Sequence, residues 1–131
     1  MKFVKSLVLA SFSWLLLSVP GLAHHSTVGL YNEAETAEIT GKVKQWRFVN
    51  PHPILILEVT GADGQTHDWD ISFGGPAVNI LRRQGYSSDT FKVGDVVVVK
   101  GFAASAADMY GMLVRGPVTR DDGTPVLPPA Q

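Results

Sequence analysis

The chain has no cysteine at all. That excludes disulfides, thiol catalysis, iron–sulfur clusters and Cys-based zinc sites. It also lacks an excess of charge of either sign: 11 Lys and Arg stand against 12 Asp and Glu, a formal net charge of −1. No cationic surplus is present to neutralise phosphates, so a general nucleic-acid binder is not expected. Long apolar runs are missing too. The longest, Leu7 to Val19, falls short of the ~20 residues that span a bilayer. The signatures of common enzymes are absent: no nucleophile elbow, no His-Glu-x-x-His, no phosphate loop and no Rossmann glycine pattern. His67 beside Asp68 is no dyad, because consecutive strand residues point to opposite faces. Ser26 lies in an arm where no base is held in line with it. No catalytic residue is assigned, and a non-enzymatic role is expected.

What is present begins with an address. Lys2 and Lys5 precede the apolar stretch, and Pro20-Gly21-Leu22-Ala23 follows it. Cation, apolar segment, helix breaker and small residues form the order of a secretory signal, with Gly21 and Ala23 at positions −3 and −1. Residues 1–23 are therefore expected to be a signal peptide. The mature chain is expected to be periplasmic or secreted, with no membrane span. Removing Lys2 and Lys5, with no acid beside them, takes the formal charge from −1 to −3. An exported domain without disulfides draws its stability from its core alone.

Residues 24–38 are polar and aperiodic and read as an N-terminal arm. Ile39 to Val49 reads as a first strand, with Gly41 marking a bulge or bend. Asn50-Pro51-His52-Pro53 is a turn, since two prolines remove two ladder donors. Ile54 to Thr60 is a second, central strand, and Gly61-Ala62-Asp63-Gly64 a hairpin connection. Gln65 to Phe73 is a third strand with His67, Trp69, Ile71 and Phe73 on one face. A short helix follows from Pro76 to a stop at Gly85, with Ala77, Ile80, Leu81 and Gln84 as its apolar stripe. Val96 to Phe102 is a fourth strand and Met109 to Thr119 a fifth. Three strands, a helix and two strands make an all-β chain with one short helix. That is the order of an OB-type five-stranded Greek-key barrel (β-β-β-α-β-β) over 39–119. The runner-up is an open α+β sheet. Residues 120–131 form a Pro-rich C-terminal tail or a small end hairpin around Asp122-Gly123.

The side chains with chemistry to offer are few. Cleavage after Ala23 makes His24 the first residue, with an α-amine and an imidazole that together chelate a metal. A third nitrogen from His25 or His52 completes a nitrogen-rich set that suits Cu(II) or Ni(II). Cleavage after Leu22 instead places His24 second and His25 third, where the imidazole of His25 joins the amine and two amides in a square-planar chelate. His52 sits between two prolines, so its geometry is pre-set; the same stretch also makes sense as turn chemistry, with Asn50 bonding nearby amides. Trp46, Phe48, Asn50 and Trp69 cluster near that turn as candidate ligand contacts. Trp69 shares a face with Ile71 and reads as core, whereas Trp46 is the better candidate for exposure unless a bulge shifts its parity. Met109 and Met112 read as packing, and Asp68 and Asp70 as the wet side of a strand, with carboxylate ligation as the alternative.

Several stretches together resemble a family of small exported bacterial proteins of unknown function. They are Ala23-His24-His25-Ser26, Gly41 with Trp46, Asn50-Pro51-His52, Trp69, Leu81-Arg82-Arg83-Gln84-Gly85 and Val93-Gly94-Asp95. The resemblance implies a periplasmic OB-like barrel of about this size and no particular activity. Two functions are then expected side by side. One is a small exported binding module holding copper through His24, His25 and His52. The other is a metal-free domain that docks a protein or small ligand on the Trp46, Phe48 and His52 edge.

Overall fold

The computed structural model describes residues 29–75 and 78–127. Its strands are β1 (Ala37–Arg47), β2 (Ile54–Thr60), β3 (Thr66–Ser72), β4 (Val96–Ala103), β5 (Gly111–Val114) and β6 (Thr119–Arg120), with one helix, α1 (Val78–Arg83), between β3 and β4. Pairing runs β1-β2-β3-β5-β4 and returns from β4 to β1, so five strands close on themselves. All pairs in the ring are antiparallel except β3 with β5, which is parallel. This is the OB-type Greek-key barrel expected from the element order. β6 pairs with Val97 and Val98 of β4, along the edge whose other end β5 takes.

Closure depends on β1 serving two neighbours. Its first half, Ala37 to Lys42, pairs with β4, and its second half, Lys42 to Arg47, with β2. Gly41 lies at the changeover. A Cβ there would stand 2.8 Å from Val59 Cγ2 and 2.9 Å from the Leu57 Cβ, so only glycine lets the strand cross so close to β2. The register with β2 then shifts between Val43 and Gln45, leaving Lys44 as the extra residue of a bulge. The shift turns Trp46 inward, opposite the fully buried Leu55. Trp46 is therefore half-buried rather than the exposed ring of the strand, a correction to the parity expected from Ile39 and Val43.

The core is the inner face of these strands, built on Val43, Leu55, Leu57, Ile71, Val97 and Val99, with Met112 and Phe91 packed among them. Each fully buried side chain of this size contributes on the order of 1.5–3 kcal/mol. Three boundaries differ from expectation. β1 runs from Ala37 to Arg47, not Ile39 to Val49, because Phe48 and Val49 already lead into the proline turn. The expected fifth strand, Met109 to Thr119, is split into β5 and β6: Gly116 takes φ +102° and Pro117 has no amide hydrogen to donate. On α1 the buried residues are Val78 and Leu81, while Ile80 is 47% exposed, so the apolar stripe is rotated from the expected one. The helix stop is as expected: the Tyr86 amide donates to the Leu81 carbonyl and the Gly85 amide to that of Arg82. After β6 the Arg120 amide donates to the Thr124 carbonyl and Gly123 turns the chain, giving a small hairpin whose Val126 amide donates to the carbonyl of the buried Val118.

Candidate functional site

The β1–β2 connection, Asn50 to Pro53, joins the end of β3 and the first described residues at one cleft. The cleft holds about 690 Å3 and is lined by Tyr31, His52, Pro53, Ile54, Asp70, Ile71, Ser72, Phe73, Gly74 and Gly75. Each wall has a local cause. Tyr31 is carried there by the arm, which is fastened to the end of β4: Tyr31 bridges Ala104, the Asn32 amide donates to the Ala103 carbonyl, and Ser105 donates to Leu30. His52 is exposed between its prolines. Gly74 and Gly75 both take positive φ, +81° and +87°, so the chain turns away after β3 with no side chain across the opening. The Ser72 hydroxyl accepts from the Gly74 amide at 3.2 Å and fixes that turn. The lining mixes apolar side chains, Pro53, Ile54, Ile71 and Phe73, with the polar Tyr31, His52, Asp70 and Ser72.

Asp70 is the carboxylate of this cleft. Its place is fixed on both sides, by Ile56 of β2 and Gly111 of β5, and its amide donates to the Tyr110 carbonyl at 3.1 Å. The residue keeps solvent on its open side, but the walls withdraw enough water from the carboxyl to push its pKa above the ordinary aspartate value. Asp68, two residues earlier, behaves differently. It pairs with Lys44 at 2.6 Å across the outer surface, and that hydrogen bond raises the lysine pKa. The two aspartates of the wet face thus separate into a surface ion pair and a cleft carboxylate.

The aromatic candidates go elsewhere. The Trp46 indole donates to the Ser87 carbonyl at 2.9 Å and its ring packs on Phe91, Phe48 and Phe73 at centroid separations of 5.0, 5.6 and 6.1 Å. Phe48 is half-buried with the Arg82 guanidinium 5.7 Å from its centroid. This cluster fastens the barrel end to the segment after α1, where Tyr86 also packs on Phe73 and burial raises its phenol pKa. Trp69 is half-buried against the core, and Tyr110 lies 6.0 Å from it while stacking on His67 at 3.9 Å. Asn50 is exposed at the turn. His52 is thus the candidate that lines the cleft; Trp46, Phe48 and Trp69 are packing rings. Tyr31, Asp70 and the Gly74-Gly75 opening complete the cleft. From sequence, Asp70 has carboxylate ligation only as an alternative, and neither Tyr31 nor the glycines stand out, although a Gly-Gly pair directly after a strand is a signal of such an opening.

His24 and His25 lie outside the described residues. Among the described residues, no group of three or more His, Cys, Asp or Glu side chains stands together to hold a metal ion. No described helix is long and apolar enough to cross a membrane. No curated protein was found that matches the chain. A family model does match it, over residues 13–114, which takes in every strand of the closed barrel. The chain belongs to that family, the Family of unknown function (DUF6152).

Proposed function

We propose that this protein is a small exported binding module whose ligand is copper, held between the N-terminal arm and the cleft beside the Asn50–Pro53 turn. In this proposal residues 1–23 are removed and the mature chain acts in the periplasm or outside the cell. His24 then supplies its α-amine and imidazole, His25 a further nitrogen, and His52 the nitrogen from the barrel. The observation that carries the proposal is that Tyr31 and His52 line the same cleft. The described part of the arm therefore reaches the cleft that His52 also lines. From Tyr31 back to His24 is seven residues, an extended reach of at most about 25 Å, enough to cross a cleft of this size. The described side chains alone make an incomplete metal set, so the α-amine and arm imidazoles have to provide most of the donors.

The metal-free alternative, docking on the Trp46, Phe48 and His52 edge, has less behind it. Two of its three side chains are occupied in the aromatic cluster described above. The test is calorimetric titration of Cu(II) into mature protein with its native first residue, beside protein carrying one added residue before His24 and beside His52→Ala. The proposal expects tight one-to-one binding that collapses when the amine is displaced and weakens by about tenfold in His52→Ala. Equal, weak binding in all three would refute it.

A further inference from the structure

We propose that the end of the barrel where Phe48 meets α1 docks onto an anionic phospholipid surface. Arg47, Arg82 and Arg83 would lie at the depth of the phosphates, and Val49 and Ile80 would reach below them. None of these residues lines the cleft proposed for copper, so the face stands apart from that reading. The argument begins with where charge falls along the chain. Residues 39–57 and 71–88 contain no Asp or Glu, so all 12 acids lie outside them, yet both segments carry cations: Lys42, Lys44, Arg47, Arg82 and Arg83. The two lysines sit beside acids of neighbouring strands. Lys44 pairs with Asp68, and Lys42 stands opposite Glu58 in the β1–β2 register. The three arginines are exposed and form no ion pair among the described residues, which include every Asp and Glu of the chain.

The fold brings these residues to one end. The Arg82 guanidinium lies 5.7 Å from the Phe48 centroid, so the last turn of α1 sits on the segment that leaves β1. The bulge that turns Trp46 inward sends its strand neighbour Arg47 outward. On α1, Val78 and Leu81 are buried, and Ile80 and Arg83, three residues apart, share the outer side. The apolar members are open to solvent: Ile80 is 47% exposed, and Val49, one residue past Phe48, is 39% exposed. Asp89, the first acid after α1, is held in the next turn, where its amide donates to the Ser87 hydroxyl at 3.2 Å; it pairs with none of the three arginines. Unpaired cations set among single exposed aliphatic side chains are what a lipid interface takes. Guanidinium groups bond phosphate oxygens in bidentate fashion, and aliphatic tips enter the acyl boundary. An acidic protein segment would satisfy the arginines and leave Val49 and Ile80 in water; a lipid surface accommodates both.

The experiment is co-sedimentation of metal-free mature protein with vesicles of phosphatidylcholine alone and of phosphatidylcholine mixed with phosphatidylglycerol, beside a pull-down on immobilised polyglutamate. Wild type should sediment with the mixed vesicles, not with the neutral ones, and added salt should release it. Arg82 also holds Phe48, so the test rests on Arg47→Gln and Arg83→Gln, whose side chains are exposed and whose folding is checked by circular dichroism. Each should weaken vesicle binding by about fivefold, whereas Arg120→Gln, on β6, should bind as wild type. Ile80→Ser should weaken binding with no change in charge. Sedimentation no greater with mixed vesicles than with neutral ones would overturn the proposal. So would equal losses in Arg83→Gln and Arg120→Gln, which would reduce the effect to net charge. Capture by polyglutamate without vesicle binding would also overturn it and assign the face to an acidic protein.

Discussion

Replacing Gly41 with alanine tests how the barrel closes. The added methyl would meet Val59 Cγ2 at 2.8 Å, Leu57 Cβ at 2.9 Å and the Glu58 carbonyl oxygen at 3.1 Å. The first of these atoms belongs to a side chain that is able to rotate. The other two are part of, or next to, the β2 backbone and move only if the strand moves. Overpacking of this kind costs about 1–3 kcal/mol. For a domain of this length, about 2 kcal/mol lowers Tm by roughly 8–16 °C. The assay is thermal unfolding by circular dichroism. The double variant Gly41→Ala/Val59→Ala separates the causes: deleting Cγ2 relieves part of the clash, so the two effects combine to less than their sum by about 0.5–1 kcal/mol. A Gly41→Ala protein melting within about 2 °C of wild type, a change well under 1 kcal/mol, would refute the claim that β1 needs this close crossing to serve both neighbours.

Other expectations follow from single contacts. Trp46→Phe loses the indole bond to the Ser87 carbonyl and some ring packing; denaturant unfolding should show a loss of about 1–2 kcal/mol, with Cu(II) affinity unchanged. The Lys44–Asp68 pair is short but its side chains are 53% and 52% exposed, so a double-mutant cycle should give a coupling below about 1 kcal/mol that fades with added salt. Asp122 has its carboxyl pKa held below the ordinary value, mainly by the Thr124 hydroxyl and amide. Because the folded pKa is depressed, that stabilisation is present above the unfolded value of about 3.9 and lost as pH falls through the folded one. The Tm difference between wild type and Asp122→Ala should therefore be steady near neutrality and shrink in strong acid, and a difference independent of pH would contradict the assignment.

Much of the barrel was legible because local signals agreed with it. β2 is a continuous apolar run bounded by Pro53 and Gly61, and its limits match expectation at Ile54 and Thr60. Gly41 marked the bend and Gly85 the helix stop for reasons that hold in three dimensions. The failures share a cause. A bulge at Lys44 adds one residue without any residue type that announces it, and one residue is enough to reverse every face beyond it. Trp46 changed sides that way. The helix stripe was drawn through Ile80 and Leu81; Leu81 is buried as expected, but which face of a six-residue helix is covered depends on where the barrel lies, and that placed Val78 inside and left Ile80 exposed. The cleft was half legible: the proline-flanked His52 stood out, whereas Asp70 looked the same as Asp68 until the neighbours of each were known. Strand alternation says which face a residue takes, and says nothing of whether Lys44 or a cleft waits there.

The most direct measurement is paramagnetic broadening. Substoichiometric Cu(II) added to 15N-labelled mature protein with its native first residue should erase the amide signals of Tyr31, His52, Asp70 and Ser72. The hairpin around Asp63 and Gly64 lies at the other end of β2 and β3, roughly 20 Å away by strand rise, and its signals should persist. Broadening confined to the residues before Tyr31, with His52 and Asp70 untouched, would contradict the account.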